Sequence, residues 1–373
     1  MLISITVAVD SIRAWMPCSL LSTSMIPFAT GALGIGATSW VTSKRVFQKL
    51  DNTLYRAYMR LCLFVFENLS SAQLKLYGDV EVLKSKKENV LVLSNHQTNV
   101  DWAVIVMLAA RQNNEQGFRV MVKHAIHYTP LFGWYIFQHG YIYVRRFGDF
   151  VQTPVLRQLR WLNSLDDPYW LLIFPEGTRY TKKKPKLIES SQEFCRKNNL
   201  RPLENVLSPR VGGVQLAVEH LNSLDAIYDV TIAYGQERLP NRRGLAPGMF
   251  EFVCGPFEGR EVHVHVKRYD IKDVPRDKDG LRNWIRQVYD EKDKLLDNFY
   301  TTGSYTEQVE EEGKSSEYSV ENSVSIYRTL PPTLAFSAAL IAPIFSQTVR
   351  KAYLITIASF PLLICWLHVR KCV

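Results

Sequence analysis

A histidine and an aspartate five positions apart are the first residues of this chain that could do chemistry. His96 and Asp101 lie in the segment NHQTNVD, residues 95–101. Histidine is a good general base near neutral pH, and an aspartate can fix the tautomer of the ring and support the imidazolium that forms. Positions five apart on a continuous helix point about 140° away from each other. The pair therefore requires His96 to precede or begin a helix and Asp101 to lie one turn inside it.

The residues around this pair predict a strand, a loop and a helix in that order. Residues 89–94 form a short run rich in valine and leucine, and an apolar helical pattern begins near Trp102. The alternative is an ordinary surface-loop histidine followed by an ordinary first-turn carboxylate. The spacing alone does not decide between them, because HxxxxD is short and common.

A second segment with chemical potential is FPEGTR at residues 174–179, which follows the apolar run 169–173. Gly177 allows a ligand to approach the backbone closely. Arg179 offers a planar fork that suits a phosphate. Glu176 is either a ligand contact or a structural anchor for the turn.

A third segment lies between these two. Residues 140–146 read GYIYVRR and end a strand-like stretch with Arg145 and Arg146, which either bind an anion or are solvated on the surface. Three such blocks, each at the end of a strand, predict one site on the rim of a sheet.

Taken together, these segments resemble the glycerolipid acyltransferases, the 1-acylglycerol-3-phosphate acyltransferase family. Its NHxxxxD motif is matched by residues 95–101, its glycine-to-arginine motif by residues 140–146 and its FPEGTR motif in full by residues 174–179. Its fourth motif, an apolar stretch with a central proline, is matched most loosely, by residues 206–210. The resemblance extends from about residue 40 to the C-terminus and looks closest to the epsilon branch.

The resemblance implies a reaction and a set of residues for it. The reaction is transfer of a fatty acyl group from acyl-CoA to the sn-2 hydroxyl of lysophosphatidate, with no metal or other cofactor because a thioester is already activated. Lysocardiolipin acyltransferase is a near relative of this branch, so lysocardiolipin or another lysophospholipid is the alternative acceptor. The implied catalytic residues are His96 and Asp101, and the implied binding residues are Asn95, Arg145, Arg146, Glu176, Gly177, Thr178 and Arg179.

Two other functional classes stay open. One is a lipid ester hydrolase that uses the same base with water, although the chain has no GxSxG segment. The other is a non-catalytic membrane scaffold, against which the intact His96, Asp101 and FPEGTR segment count. The chain also has no GxGxxG and no GxxxxGK[ST] segment, which excludes dinucleotide and P-loop sites at the motif level.

The composition favours anionic partners and a sizeable core. The 373 residues are 47% hydrophobic and carry 45 Lys plus Arg against 36 Asp plus Glu, a net charge of +9. Such a balance suits phospholipid head groups, coenzyme A phosphates or nucleic acid. No nucleic-acid motif is present, and the aromatic residues lie mostly in apolar runs, so we expect lipid and acyl-CoA partners and no nucleic acid.

Two regions predict membrane segments. Residues 15–41 carry no charged side chain and are long enough to span a bilayer of about 30 Å, which favours an anchor over a cleaved signal peptide. Near the C-terminus, residues 330–348 and 352–369 are nearly free of charge and predict two short spans or a re-entrant hairpin. The membrane is expected to be that of the endoplasmic reticulum, with the nuclear envelope and the mitochondrial outer membrane as alternatives.

Between these regions, strand-like and helix-like runs alternate, which predicts an α/β fold with a mixed sheet covered by helices. A helical apolar stripe near residues 55–69 is either a core helix or an interfacial helix. Candidate strands are residues 90–94, 118–122, 140–144, 169–174, 227–234 and 262–267, and candidate helices are residues 100–112, 153–165, 187–198, 211–222 and 280–299. The expected domains are an N-terminal membrane anchor (1–45), an acyltransferase domain (46–300) with an interfacial helix near residues 55–69, an acidic linker (301–328) and a C-terminal membrane hairpin (329–373).

Overall fold

A computed structural model describes residues 15–85, 87–145, 152–239, 241–255, 260–305 and 319–372. The chain divides into two compact units. The first comprises Met1–Leu69, Asn113–Tyr169 and Val324–Val373, and the second comprises Ser70–Gln112 and Trp170–Ser323. The single domain expected over residues 46–300 is therefore shared between two units, and residues 113–169 group with the terminal segments.

The regular elements are numbered here in chain order. The helices are α1 (Met25–Thr38), α2 (Lys44–Leu63), α3 (Asp101–Arg111), α4 (Phe132–Gln138), α5 (Gln152–Leu162), α6 (Pro185–Lys197), α7 (Gly212–His220), α8 (Met249–Cys254), α9 (Lys278–Thr302), α10 (Ile326–Phe345) and α11 (Gln347–Val369). The strands are β1 (Gln73–Gly78), β2 (Val90–Ser94), β3 (Phe118–Lys123), β4 (Ile142–Val144), β5 (Trp170–Ile173), β6 (Ala226–Tyr234), β7 (Glu261–Asp270) and β8 (Ser319–Glu321).

The second unit is built on a mixed sheet with the strand order β5-β2-β6-β7-β1-β8. Strand β2 runs parallel to β5 and β6, β1 runs parallel to β7, and the β6–β7 and β1–β8 pairs are antiparallel. Every residue of β2 and β6 is buried, as expected for strands covered on both faces. The predicted mixed α/β sheet with helices is confirmed.

The structure differs from the sequence prediction at the edge of this sheet. Strand β1 was not predicted, although Leu74 and Leu76 alternate with polar neighbours in it. Strand β8 lies inside the expected acidic linker and pairs with β1. Residues 306–318 of that linker lie outside the described residues. The linker prediction is therefore wrong for residues 319–321, which form an edge strand.

The first unit contains the predicted apolar stripe of helix α2, which a short π-helix, Phe64–Leu69, continues. The stripe is buried within the unit, with Tyr55, Leu61 and Val65 each fully shielded from solvent. Tyr58 stacks on Phe28 of α1 with ring centroids 4.2 Å apart. The stripe is therefore the face of a core helix, which is the first of the two alternatives that the sequence left open.

Among the residues that the structure describes, three helical segments are long and apolar enough to cross a membrane: Trp15–Thr38, Ile326–Phe345 and Gln347–Val369. Helices α10 and α11 also expose large apolar side chains that lipid would cover, among them Ile344, Phe345 and Leu362. With 20 and 23 residues, each of these helices is about 30 Å long or more. The C-terminal pair thus has the length of two full spans, and the chain is a membrane protein.

The N-terminal apolar segment packs within the first unit. The hydroxyl groups of Thr30 on α1 and Thr356 on α11 lie 2.9 Å apart. A hydroxyl pair of this kind satisfies polar groups that lipid cannot hydrogen-bond. The contact favours an anchor that stays with the folded protein over a removed signal peptide.

Candidate active site

The predicted strand, loop and helix around His96 are present in the second unit. Strand β2 ends at Ser94, and helix α3 begins at Asp101. At the start of the loop, Asn95 is buried and pairs with the backbone of β6. Its Nδ2 donates to the carbonyl of Ile232 at 2.9 Å, and its Oδ1 accepts from the amide of Ile232 at 2.8 Å. Asn95 therefore fixes the loop to the neighbouring strand.

His96 and Asp101 form a hydrogen-bonded pair. His96 Nδ1 lies 2.8 Å from Asp101 Oδ2, and the aspartate side chain is 1% exposed. The same Oδ2 accepts the backbone amides of Gln97 at 2.7 Å and Thr98 at 3.0 Å. Asp101 is the first residue of α3, not a residue one turn inside it, because the loop folds back over the helix end and brings His96 to the carboxylate.

Tyr234, the last residue of β6, supports the other oxygen of this carboxylate. Its hydroxyl donates to Asp101 Oδ1 at 2.7 Å, and its side chain is buried. Burial and the neighbouring carboxylate raise the pKa of Tyr234, which keeps the hydroxyl protonated as a donor. Asp101 thus accepts hydrogen bonds on both oxygens and holds one orientation toward the imidazole.

The histidine ring presents its second nitrogen for chemistry. The ring stacks on Phe174 with centroids 4.0 Å apart, and the side chain is 19% exposed. With Nδ1 donating to the carboxylate, Nε2 carries the lone pair, and it has no hydrogen-bond partner among the described residues. The geometry therefore leaves Nε2 as the ring nitrogen that is open to a substrate.

The FPEGTR turn is tied directly to the backbone of His96. Glu176 Oε1 accepts the amide of His96 at 2.8 Å, and Oε2 accepts the amide of Leu207 at 3.0 Å. The amide of Tyr180 donates to the carbonyl of His96 at 2.7 Å. Burial raises the pKa of Glu176 to about 8, against the lowering effect of its two backbone donors. Glu176 therefore acts as the structural anchor of the turn.

Beyond Glu176 the turn reaches the surface. Gly177 has a φ of +68°, which favours glycine, and its amide closes the turn on the carbonyl of Phe174 at 2.9 Å. Thr178 is half-buried and Arg179 is exposed. The Arg179 side chain has no hydrogen bond or ion pair with any residue that the structure describes, so its guanidinium group is open to a ligand.

The loop that carries His96 is also held from the side of α8 and α9. Thr98 Oγ1 donates to the carbonyl of Pro247 at 2.6 Å, and Asn99 Oδ1 accepts the amide of Met249 at 3.1 Å. Gln97 Nε2 donates to the hydroxyl of Tyr300 at 2.9 Å. These contacts rigidify the loop, which a positioned base requires.

Arg145 of the third segment belongs to the first unit. Arg145 is exposed directly after strand β4, and Arg146 lies outside the described residues. Their anion-binding role remains a prediction. Within the described part of the chain, no group of three His, Cys, Asp or Glu side chains is arranged to hold a metal ion.

Sequence reasoning missed two residues that contact the His96–Asp101 pair. Phe174 belongs to a recognised segment, but its stacking on His96 depends on the pairing of β2 with β5. Tyr234 lies 133 positions from Asp101, and only the pairing of β2 with β6 brings it near. The one local signal for Tyr234 is its place at the end of a strand that is apolar apart from Asp229 and Thr231.

Tyr234→Phe should lower kcat/KM while the protein stays folded. Removing a hydrogen bond to a charged group costs about 1.5–3 kcal/mol, or roughly tenfold or more in rate. An unchanged kcat/KM would show that Tyr234 does not orient Asp101.

Comparison with known proteins places these features in a family. The Acyltransferase family profile matches residues 73–235, and that of the acyltransferase C-terminus matches residues 253–326. The 1-acyl-sn-glycerol-3-phosphate acyltransferase epsilon of Mus musculus is 35% identical over 95% of this chain and 95% of its own length. A probable 1-acyl-sn-glycerol-3-phosphate acyltransferase 5 of Arabidopsis thaliana is 31% identical over 80% of this chain and 76% of its length.

A third relative is named for a different acceptor. Lysocardiolipin acyltransferase 1 of Gallus gallus is 29% identical over 69% of this chain and 65% of its own length. The mouse similarity spans almost the whole chain, and the NHxxxxD and FPEGTR segments meet at His96. This chain is an acyltransferase and belongs to the 1-acyl-sn-glycerol-3-phosphate acyltransferase family.

Proposed function

We propose that this enzyme transfers a fatty acyl group from acyl-CoA to the sn-2 hydroxyl of 1-acylglycerol-3-phosphate and so makes phosphatidate. The observation that carries the proposal is the 2.8 Å contact between His96 Nδ1 and Asp101 Oδ2, which leaves Nε2 as the basic nitrogen. The name of the mouse relative supports lysophosphatidate as the acceptor.

In the proposed reaction, His96 Nε2 takes the proton of the acceptor hydroxyl as the oxygen attacks the thioester carbonyl carbon. The C–S bond then breaks, and the imidazolium returns the proton to the departing coenzyme A sulfur. A positioned base of this kind contributes roughly 10²–10⁴-fold to the rate. The Asp101 carboxylate stabilises the imidazolium while it exists. The thioester is already activated, so no metal or further cofactor is needed.

Positioning contributes more than the base in this proposal. Holding the hydroxyl and the thioester together can lower the barrier by about 7–11 kcal/mol. The open guanidinium group of Arg179, which follows the turn at Gly177, is proposed to hold the phosphate of the acceptor. Arg145 and Arg146 are retained as further proposed anion-binding residues.

The alternative acceptor is another lysophospholipid, which the similarity to the Gallus gallus lysocardiolipin acyltransferase supports. The experiment is a panel of lysolipid acceptors with one labelled acyl-CoA and purified protein in detergent. We expect lysophosphatidate to have the highest kcat/KM. Preference for lysocardiolipin would replace lysophosphatidate as the acceptor. Release of free fatty acid independent of the acceptor would indicate a hydrolase, and no thioester turnover would indicate a scaffold.

The proposed location is the endoplasmic reticulum membrane. The three apolar helical segments support an integral membrane protein, and both proposed substrates are amphiphiles that partition to a membrane surface. The nuclear envelope and the mitochondrial outer membrane are the alternatives. Microscopy of tagged protein against markers of the three membranes distinguishes them.

Arg179→Lys should separate phosphate binding from chemistry. A guanidinium group can hold a phosphate through two parallel hydrogen bonds, whereas lysine offers a compact point charge. The variant should therefore lose more kcat/KM on lysophosphatidate than on a neutral monoacylglycerol, chiefly through a raised acceptor KM. If both acceptors lose kcat/KM in the same proportion, Arg179 only braces the turn and does not hold the phosphate.

A further inference from the structure

Arg210 lies against the turn that carries Arg179. Its backbone amide donates to the carbonyl of Pro175 at 2.8 Å. Atoms Cδ, Nε and Cζ of its side chain lie 3.5, 3.6 and 3.9 Å from the point that a Cβ at Gly177 would occupy. The Arg210 side chain therefore runs along the bare face of Gly177, two residues before Arg179.

The segment that carries Arg210 is held rigidly. Asp293 of α9 accepts the backbone amides of Glu204 at 3.0 Å and Asn205 at 2.7 Å. Two residues further on, the amide of Leu207 donates to Glu176 at 3.0 Å. Backbone bonds therefore fix this segment both to α9 and to the FPEGTR turn. These hydrogen bonds hold Arg210 beside Gly177 on an anchored segment.

The charge of Arg210 is unbalanced within the described residues. Its side chain is exposed and forms no ion pair or hydrogen bond with any of them, and the same holds for Arg179. Arg201 and Arg243 of this unit differ in this respect, since each lies 2.7 Å from a carboxylate oxygen. Two segments joined at one turn thus each carry a guanidinium group without a carboxylate partner, and a bound dianion would balance this charge.

We infer that Arg210 and Arg179 together bind a phosphate monoester, and that Arg210 makes the site selective for a monoester over a diester. The inference rests on the proposed function and names a specificity residue of the same site. A monoester has a second ionisation near pH 6 and carries a charge of about −1.5 to −2 at neutral pH. A diester carries one charge and one fewer terminal oxygen, so it cannot use two guanidinium forks as fully.

Two substrates of the proposed reaction carry a phosphate monoester. Lysophosphatidate carries it in its head group, and acyl-CoA carries it as the 3′-phosphate of coenzyme A. The chemistry of the site is the same for both. The measurement therefore compares lysophosphatidate with lysophosphatidylglycerol, a diester, as acceptors. It also compares acyl-CoA with acyl-dephospho-CoA, which lacks the 3′-phosphate, as donors.

The variants are Arg210→Ala and Arg210→Lys in the full-length protein. Because the Arg210 side chain is exposed and its backbone bond is kept, both should fold. Arg196→Ala is the matched control, since Arg196 is an exposed arginine of α6 in the same unit. Arg210→Ala removes a charge-assisted contact. In at least one of the two comparisons, its kcat/KM should therefore fall about tenfold more on the substrate with the phosphate monoester than on the substrate without it. Arg210→Lys should recover part of that loss.

A selective loss in the acceptor comparison supports the inference and identifies the head group as the ligand. A selective loss in the donor comparison supports it and identifies the 3′-phosphate. The inference would be overturned if Arg210→Ala lost kcat/KM equally on lysophosphatidate and lysophosphatidylglycerol and also equally on acyl-CoA and acyl-dephospho-CoA. It would also be overturned if Arg210→Ala lost no more kcat/KM than Arg196→Ala. Failure of the wild-type protein to acylate any of the acceptors would instead contradict the proposed function, so the two failures are distinguishable.

Discussion

Purified His96→Ala protein should remain folded and membrane-bound but transfer acyl groups at least about 10²–10⁴-fold more slowly than wild type, which is the contribution of a positioned base. The substitution removes Nε2, the only nitrogen of the pair placed to accept a proton. The fold should survive because the backbone bonds of His96 to Glu176 and Tyr180 do not involve its ring. The loss should appear in kcat, since the base acts in the transition state.

The measurement is a labelled acyl-CoA assay with protein purified from a host whose own acyltransferases have been removed. His220→Ala is the matched control, because His220 is exposed at the end of α7 and belongs to none of the motif segments. That variant should keep wild-type turnover. Near-normal turnover by His96→Ala, with an unchanged gel-filtration profile, would show that another group is the base.

Asp101→Asn should have the second-largest effect, again about 10²–10⁴-fold, because a base without its orienting charge loses most of what it contributes. The asparagine oxygen can take the place of Oδ2 and still accept the amides of Gln97 and Thr98. The asparagine NH2 group then faces the Tyr234 hydroxyl, which can accept as well as donate. The local structure is therefore kept, while the charge that stabilises the imidazolium is lost.

The prediction for Asp101→Asn is checked by comparing its turnover rate with that of Tyr234→Phe. Tyr234→Phe keeps the carboxylate and loses one of its donors, so its rate should lie between those of wild type and Asp101→Asn. A variant Asp101→Asn that turns over faster than Tyr234→Phe would contradict the ordering, and with it the view that the carboxylate charge supports His96.

The strand, loop and helix around His96 could be predicted because their signals are local. Strand β2 coincides with the predicted residues 90–94, and α3 begins and ends one residue inside the predicted range 100–112. An apolar run followed by polar residues and a helical pattern needs no knowledge of the rest of the chain. The fit to a family motif then assigned chemistry to the loop before any geometry was known.

The supporting contacts of the site could not be predicted, because they join distant segments. Leu207 meets Glu176 across 31 positions, and Tyr234 meets Asp101 across 133. A sequence shows that a buried carboxylate will need hydrogen-bond donors. It does not show which donors the folded sheet places beside that carboxylate. The role of Glu176 stayed open for the same reason, since an anchor and a ligand contact differ only in where the side chain points.

The hydrophobic pattern of the sequence also fails to predict an element that has no apolar period. It likewise does not show which part of the molecule covers an apolar face. Strand β8 has three residues beside an acidic run, so nothing in its composition separates it from a linker. The stripe of α2 showed an apolar face but not what covers it, and protein rather than lipid covers Tyr55 and Leu61. The sequence prediction places residues 113–169 in the domain 46–300, because chain order does not reveal that they belong to the first unit.

The central claim is most directly tested by the position of the label in the product. Purified wild-type protein is given lysophosphatidate and acyl-CoA labelled in the acyl group, and the lipid product is treated with phospholipase A2, which cleaves only the sn-2 ester. We predict labelled phosphatidate from the wild type, full release of the label by the phospholipase, and at least about 10²-fold less labelled lipid from His96→Ala in the same time. Label that resists the phospholipase, label found only as free fatty acid, or equal product from His96→Ala would contradict the account.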